Sequence, residues 1–262
     1  MCRLLFVSGS EKDTAVELID ALISSARVDP TDGDESHKDG FGCMLFGKND
    51  GFVDLKYFRS INPIFESENE INQLKDNLNN YENFALLLHA RKVSSGDKNV
   101  INTHPYAYSL QTGVRYFFAH NGTLNTTAIK NSFNIEAGSN LSDSFLLGLG
   151  ISKNTKDKND LKNLLKSGVN FVEDESAFNT INLLYGPNEM DAFLTSYHVG
   201  HKFDSYYQTF ILKSEHTFAF MSSTLAFYLS ENLKDKLEEV NNGTLIEIDD
   251  VFGVPKITFE QM

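Results

Sequence analysis

Apolar positions recur along this chain with two spacings, one typical of strands and one typical of helices, and these spacings predict its elements. Residues 3–7 form a short apolar run typical of a strand, and the turn residues SGSEKD follow it. In the next stretch, TAVELIDALISSA, the apolar side chains fall at helical spacing. They are Val16, Ile19, Leu22, Ile23 and Ala26. The chain is therefore predicted to begin with a strand, a turn and a helix.

A hairpin and a second helix are predicted next. The acidic, turn-rich stretch DPTDGDESHKDGFG leads into a strand, FGCMLF, and FVDLKYF alternates well enough to be its antiparallel partner. In ESENEINQLKDNLNN, the residues Ile71, Leu74 and Leu78 lie on one helical stripe. The run NFALLLHA that follows has little polar alternation, which indicates a strand covered on both faces.

The second half is predicted to be rich in strands. After RYFFAH, helical patterns occur near residues 142–149 and 160–165. Five β-prone segments follow, namely FNTINLLYG, MDAFLTSYH, YYQTFILK, TFAFMS and TLIEI. No repeat, linker or charge block marks a boundary, so we expect one domain over residues 1–262. Helices flanking many antiparallel strands favour an α+β fold in which the helices cover the outer sheet faces.

Composition narrows the possible partners. The chain has 262 residues, of which 41% are hydrophobic, and this is enough to bury the core of one large domain. Its formal net charge of -13 would repel phosphate backbones and anionic lipid headgroups, so neither nucleic acid nor a membrane surface is an expected partner. No apolar run approaches the roughly 20 residues of a membrane helix, and the first apolar run is shorter than that of a signal peptide. We expect a cytoplasmic protein.

The two cysteines, Cys2 and Cys43, lack the spacing of a disulfide framework or a zinc site, and we expect no metal and no other cofactor. Cys43 lies inside the predicted strand FGCMLF and is interpreted as a small buried apolar side chain. Cys2 directly follows Met1, and from this position alone it is either an ordinary packed side chain or a reactive thiol. Lipidation is disfavoured because no apolar signal segment precedes it.

Chemistry-bearing residues gather where apolar strands end. Arg91 follows such a run and either binds a carboxylate ligand or forms a salt bridge at the strand end. The pair Asn121-Gly122 either reverses the chain or points an amide and a backbone N–H at one oxygen, as an oxyanion hole requires. Asp143 either stabilises a helix start or binds a substrate ammonium group.

Two histidines lie in or at the ends of predicted buried strands. They are His89 and His120, and neither has metal-ligand spacing to another histidine. We interpret both as core histidines whose ring nitrogens are hydrogen-bonded.

The order of the motifs carries more information than any one of them. Cys2-Arg3, HKDGFG, HARKVSSG, NTHPY, HNGTL and SDS, in this order, closely resemble the class-II glutamine amidotransferases of the N-terminal nucleophile (Ntn) hydrolase superfamily. The resemblance spans residues 2 to about 145. Beyond about residue 150 the chain resembles the stand-alone members of similar length, and MSSTLAF looks like their late serine-containing segment. The resemblance implies a four-layer αββα sandwich of two antiparallel sheets.

It also implies a mechanism. Cys2 becomes the mature N-terminus once Met1 is removed, and its own α-amine, with a pKa of about 7.7–8.0, serves as the base. The thiolate attacks the side-chain amide carbon of glutamine, releases ammonia and leaves a γ-glutamyl thioester that water hydrolyses.

By the same resemblance, Arg91 grips the substrate α-carboxylate with help from Ser94, Asn121 and Gly122 form the oxyanion hole, and Asp143 holds the α-ammonium group. Two positions depart from the family pattern. Lys92 stands where many relatives carry Trp, and Phe145 stands where a Glu is common.

Glutamine is therefore the expected substrate, and the chain leaves no room for an acceptor domain, so any ammonia acceptor belongs to a separate subunit. One alternative is hydrolysis of another γ-glutamyl amide or peptide. A second alternative is a non-catalytic glutamine-binding regulatory subunit, which the presence of Cys2, Asn121 and Gly122 disfavours because binding alone requires no thiol.

Overall fold

The computed structural model describes residues 2–31, 35–187, 189–200, 204–252 and 256–262. The strands in these ranges are β1 (Arg3–Gly9), β2 (Phe41–Asn49), β3 (Phe52–Ser60), β4 (Asn83–Ala90), β5 (Tyr106–Ser109), β6 (Arg115–Asn121), β7 (Asn179–Tyr185), β8 (Met190–Ser196), β9 (Thr209–Lys213), β10 (Thr217–Ser222), β11 (Leu237–Glu239), β12 (Thr244–Asp249) and β13 (Lys256–Gln261). The α-helices are α1 (Lys12–Arg27), α2 (Glu68–Asn79), α3 (Thr126–Phe133), α4 (Asp143–Asn154), α5 (Lys158–Gly168), α6 (Asp204–Tyr207) and α7 (Glu231–Lys234). Short 3₁₀ helices occupy Ile64–Glu66, Val169–Phe171 and Ser223–Tyr228.

The strands form two antiparallel sheets. The first has the order β11-β9-β10-β1-β4-β2-β3, and the second has the order β13-β12-β8-β7-β6-β5. Each sheet combines strands from both halves of the chain. In the first sheet β1 lies between β10 and β4, and its register pairs Arg3 with Ala90. The first residues of the chain are therefore held beside the segment that follows β4.

Three apolar clusters separate four layers. Because successive strand residues point to opposite faces, β1 contributes Leu5 and Val7 to the cluster beneath α1 and α2, and Leu4 and Phe6 to the cluster between the sheets. The third cluster joins the outer face of the second sheet to α3, α4 and α5, with Ile129, Leu146 and Leu161 among its members. The α+β prediction, with two antiparallel sheets covered by helices, is confirmed.

Most of the early pattern predictions are also confirmed. The opening strand and helix correspond to β1 and α1, the hairpin to β2 and β3, and the predicted helical stripe of α2 is buried. The run NFALLLHA is β4, covered on both faces, and Cys43 is a fully buried side chain in β2.

One segment was predicted wrongly. The pattern YYQTFILK predicts a single strand, but Tyr206 and Tyr207 belong to α6 and the strand begins only at Thr209. The reason is tertiary, because Ser223 and Asn179 donate hydrogen bonds from their side chains to backbone carbonyls of α6. The patterns also did not predict the elements β5, α3, α6, α7, β11 and β13.

None of the helices in the described part of the chain combines the length and apolar character needed to span a bilayer.

A buried ion pair fixes the start of β1. The Arg3 guanidinium is fully buried, and its Nη2 lies 2.6 Å from Oδ2 of Asp29, just beyond α1. Arg3 Nη1 also donates to the hydroxyl of Tyr206 at 2.9 Å. Thr31 donates its backbone N–H and its hydroxyl to Asp29 Oδ1 at 3.0 and 2.7 Å. Burial alone would raise the pKa of Asp29, but the Arg3 charge and the Thr31 hydrogen bonds outweigh it and lower the pKa from 3.8 to about 2.

We expect Asp29→Asn to lower the free energy of unfolding at pH 7 by about 3–5 kcal/mol, because it leaves the Arg3 charge buried without a counterion. The folded-state pKa of Asp29 lies below the unfolded value of 3.8, so its stabilisation is complete above about pH 4 and is lost as the pH falls towards about 2. Urea denaturation of wild type and variant should therefore show a difference that shrinks over this range.

The matched control is Asp20→Asn, since the Asp20 partner of Lys75 is half exposed and such a pair contributes about 1 kcal/mol or less. Equal losses in the two variants, or a difference that does not change with pH, would contradict the role given to Asp29.

Candidate active site

Cys2 lies at the N-terminal end of the central strand β1, beside the segment that follows β4. Its side chain is buried, with 9% of its surface exposed, and the thiol donates to the backbone carbonyl of Lys92 at 3.6 Å. Burial raises the pKa of the Cys2 thiol above 9.0, although the nearby Arg91 charge opposes the rise. Near neutral pH the group is therefore a thiol and needs a base to become a nucleophile.

A small pocket surrounds the thiol. Its lining residues are Cys2, Arg91, Lys92, Ser94, Ser95, His104, His120, Gly122, Ser142, Asp143 and Ser144. Five of the six site residues predicted from the sequence are in this set. The sixth, Asn121, is buried directly before Gly122, but its side chain is not part of the lining. The cavity has a volume of about 10 Å³, which is close to the space of one water molecule.

Arg91 is buried at the end of β4. Its Nη1 donates to the backbone carbonyl of Asp97 at 3.1 Å, and its Nη2 donates to that of Ser95 at 3.0 Å. No carboxylate in the described part of the chain forms an ion pair with it. Among the described residues, the salt-bridge alternative is therefore wrong. The Arg91 guanidinium donates to neutral backbone carbonyls and keeps its positive charge.

Asp143 is the first residue of α4, directly after the N-cap Ser142. Its Oδ2 accepts from the backbone N–H of Leu124 at 2.7 Å, and its Oδ1 accepts from that of Ser144, also at 2.7 Å. Within the described ranges no cationic side chain pairs with this buried carboxylate. Asp143 therefore has the predicted first-turn position at the start of a helix, and it also leaves an unpaired negative charge in the pocket.

The Asn121-Gly122 pair ends β6 and leads towards α3 rather than into a hairpin. Gly122 has a φ of +147°, and a Cβ placed there would lie 1.9 Å from the backbone carbonyl oxygen of Ala177, so only glycine fits. The side-chain Oδ1 of Asn121 is buried and has no hydrogen-bond partner among the described residues.

The loop after β4 covers the pocket and is held by residues 35–39. Lys92 Nζ pairs with Glu35 at 2.7 Å, and the backbone N–H of Val93 donates to Asp39 Oδ2 at 2.9 Å. A second oxygen of Asp39 lies 3.5 Å from Lys98 Nζ. The aspartate of the HKDGFG motif therefore ties the two segments together, a role that the sequence did not reveal.

Two histidines, His104 and His120, line the pocket, and His89 packs against His104. The prediction of a hydrogen-bonded ring is wrong for His89, because neither of its ring nitrogens has a hydrogen-bond partner among the described residues. His89 and His104 are buried with ring centroids 4.2 Å apart, and burial lowers the pKa of His89 to about 3, so this ring is neutral. His120 is a hydrogen-bonded core histidine, as predicted, because Nδ1 lies 2.9 Å from Ser144 Oγ and Nε2 lies 3.2 Å from the Ala177 carbonyl oxygen. Sequence reasoning did not predict that His104 and His120 also line the pocket. Their motifs NTHPY and HNGTL were the available signal.

No group of three or more His, Cys, Asp or Glu side chains within the described ranges could hold a metal ion.

Residues 1–179 match the family model described as "Glutamine amidotransferases class-II". No curated protein matches the chain by sequence. The fold is similar to that in "Structure of the allosteric regulatory enzyme of purine biosynthesis", with a TM-score of 0.63 and 15% identity, covering 99% of this chain and 49% of that one. It is also similar to glutamine phosphoribosylpyrophosphate amidotransferase from B. subtilis, with a TM-score of 0.58 and 16% identity, covering 98% and 49%. A predicted glutamine amidotransferase from Pseudomonas aeruginosa PA01 gives a TM-score of 0.38 and 14% identity, covering 100% and 90%.

The chain spans about half the length of the first two of these structures. At identities this low, their similarity shows the fold alone, and it confirms the predicted Ntn-hydrolase architecture. The family model extends over 179 of the 262 residues, which is more than half of the chain. The chain therefore belongs to the class-II glutamine amidotransferase family.

Proposed function

We propose that this protein hydrolyses the γ-amide of glutamine through Cys2 and releases ammonia. The observation that supports the proposal is that a buried arginine, Arg91, and a buried aspartate, Asp143, line the same pocket as the thiol, and neither has an ion-pair partner among the described residues. Unpaired buried charges cost several kcal/mol each. The α-carboxylate and α-ammonium groups of an amino acid would neutralise both.

The chemistry begins with activation of Cys2. Since burial keeps the thiol protonated, we assign the base to the α-amine that Cys2 exposes when Met1 is removed; Met1 itself lies outside the described residues. With a pKa of about 7.7–8.0 this amine accepts the thiol proton near neutral pH.

The thiolate then forms a bond to the amide carbon, and the negative charge moves to the carbonyl oxygen. The Asn121 side-chain amide and the Gly122 backbone N–H are the proposed donors to this oxygen. When the carbon–nitrogen bond breaks, the protonated α-amine gives its proton to the leaving amide nitrogen, which departs as ammonia, and a γ-glutamyl thioester remains. Water attacks the thioester with the same amine as base, which releases glutamate and restores the Cys2 thiol.

Glutamine needs more room than the pocket offers in this state, so the proposal requires the covering loop to move. The contact between Lys92 and Glu35 is partly exposed, and such pairs contribute about 1 kcal/mol or less. Separating the loop from residues 35–39 breaks this pair, the pair of Lys98 with Asp39 and the hydrogen bond from Val93 to Asp39, and binding of a zwitterion to Arg91 and Asp143 would offset that cost. We propose that the released ammonia serves an acceptor on a separate subunit.

Removal of Met1 is the sharpest test of this proposal. We expect glutaminase activity to rise in proportion to the fraction of chains trimmed by methionine aminopeptidase, as measured by intact mass, because a peptide nitrogen on Cys2 cannot accept a proton near neutral pH. A glutamine-mimicking diazoketone should label Cys2 chiefly in the trimmed chains.

Cys2→Ala is the control for this experiment, and it should abolish both hydrolysis and labelling without changing the urea midpoint. Turnover retained by Cys2→Ala would rule out the nucleophile assigned here. Equal activity with and without Met1 would rule out the α-amine as the base.

A second prediction separates the roles of two site residues. Asn121→Ala should lower kcat by about 10²–10³ with little change in KM, because an oxyanion donor acts on charge that develops in the transition state. Arg91→Met should mainly raise KM, since the α-carboxylate carries the same charge in the ground and transition states. Steady-state kinetics on trimmed protein measures both.

Arg59→Met is the matched control, because Arg59 also donates to backbone carbonyls, those of Ile101 and Thr103, but lies outside the pocket. It should change neither kcat nor KM. The division of roles would be wrong if Asn121→Ala and Arg91→Met gave the same kinetic pattern.

A further inference from the structure

A chain of close polar contacts connects the Asp143 carboxylate to the second sheet. The hydroxyl of Ser144 lies 3.2 Å from Asp143 Oδ1 and 2.9 Å from His120 Nδ1. On the other side of the ring, His120 Nε2 lies 3.2 Å from the carbonyl oxygen of Ala177. The side chains of Asp143, Ser144 and His120 are each at least 95% buried, and all three line the Cys2 pocket.

The directions of these hydrogen bonds follow from the groups at the ends. A carbonyl oxygen only accepts, so His120 Nε2 must carry a proton and donate it to Ala177. Burial lowers the pKa of His120, although the Asp143 charge and the Ala177 carbonyl oppose this, and the ring is therefore neutral. A neutral ring protonated at Nε2 accepts at Nδ1. The single hydroxyl proton of Ser144 is thus directed at His120.

This direction matters for Asp143. An ionised carboxylate offers about four acceptor positions, and the backbone N–H groups of Leu124 and Ser144 occupy two of them. If the Ser144 hydroxyl also donated to Oδ1, it would compete with any ammonium group for the carboxylate. With its proton turned towards His120, the carboxylate stays open.

We propose that His120 is a positioning residue for substrate recognition, whose Nδ1 accepts the hydrogen bond of the Ser144 hydroxyl and so keeps the Asp143 carboxylate free for the α-ammonium group of the substrate. This inference rests on the proposed function, in which Asp143 binds that group. It adds a specificity role, because the effect of His120 is confined to substrates that carry an α-ammonium group.

The kinetic test uses His120→Phe, which keeps a ring beside Phe118 and Phe178 but cannot accept a hydrogen bond. The Ser144 hydroxyl should then turn to Asp143, and KM for glutamine should rise about tenfold, as expected for one hydrogen bond to a charged group. The inhibition constant of the glutamine analogue that lacks the α-amino group should change less than threefold. Adding Ser144→Ala to His120→Phe removes the competing hydroxyl and should return KM to within about threefold of wild type.

Ser152→Ala is the matched control, since Ser152 is a similarly buried serine on the same helix, and among the described residues its hydroxyl bonds only the Leu149 carbonyl of that helix. It should leave KM unchanged. An equal loss of affinity for glutamine and for the analogue in His120→Phe would overturn the proposal, and so would a failure of Ser144→Ala to restore KM. Wild-type protein that does not hydrolyse glutamine at all would instead refute the proposed function.

The second measurement needs no substitution. Nitrogen NMR of wild-type protein labelled at histidine should show His120 as a neutral ring protonated at Nε2 and unprotonated at Nδ1 at pH 7. A doubly protonated ring, or one protonated at Nδ1, would overturn the proposal even if His120→Phe failed to fold.

Discussion

The buried ion pair between Arg3 and Asp29 is the constraint on which the site depends. The first residues of a chain usually fray, and the thiol at position 2 would then have no fixed place. Here Arg3 is held by Asp29, and the next backbone N–H, that of Leu4, donates to the side chain of Ser222 at 3.0 Å. Since Arg3 also pairs with Ala90 in the sheet, the position of the thiol relative to the segment after β4 follows from backbone register. The MSS segment near the end of the chain thus contributes to the site by anchoring β1.

The second feature that organises the site is a pair of opposite charges that the fold does not bring together. Arg91 is satisfied by two backbone carbonyls and Asp143 by two backbone N–H groups. These neutral contacts make burial of each charge tolerable without neutralising it. A direct salt bridge would be more stable in the empty protein, but it would occupy both groups that the proposed amino-acid ligand binds. Leaving two buried charges without a salt bridge lowers the stability of the fold at this place, and such a loss is typical of a binding site.

The sequence predicted those parts of the fold whose apolar pattern reflects their own burial, such as β1, α1, the β2–β3 hairpin and β4. It failed where a tertiary contact decides the structure, as in α6, or where few side chains are buried, as in α3, whose only buried residue is Ile129.

In the site, the motif order led to five residues that line one pocket. It could not show that His120 reaches Ala177, because 57 positions separate them and neither the spacing nor the residue type of Ala177 signals a partner. Nor could it show that Arg91 lacks a carboxylate partner among the described residues, since that depends on every neighbouring loop.

The contacts that form the walls of the pocket differ from those that close it in how far they are exposed to solvent. Those that shape its walls are buried, as in the approach of Gly122 to the Ala177 carbonyl, which excludes any side chain. Those that close the pocket are partly exposed, as in the pair of Lys92 with Glu35, where about a third of the lysine side chain and nearly half of the glutamate remain accessible. Solvent screens the second class far more than the first. The loop can therefore separate from residues 35–39 more easily than the wall formed by Gly122 and Ala177 can change its shape.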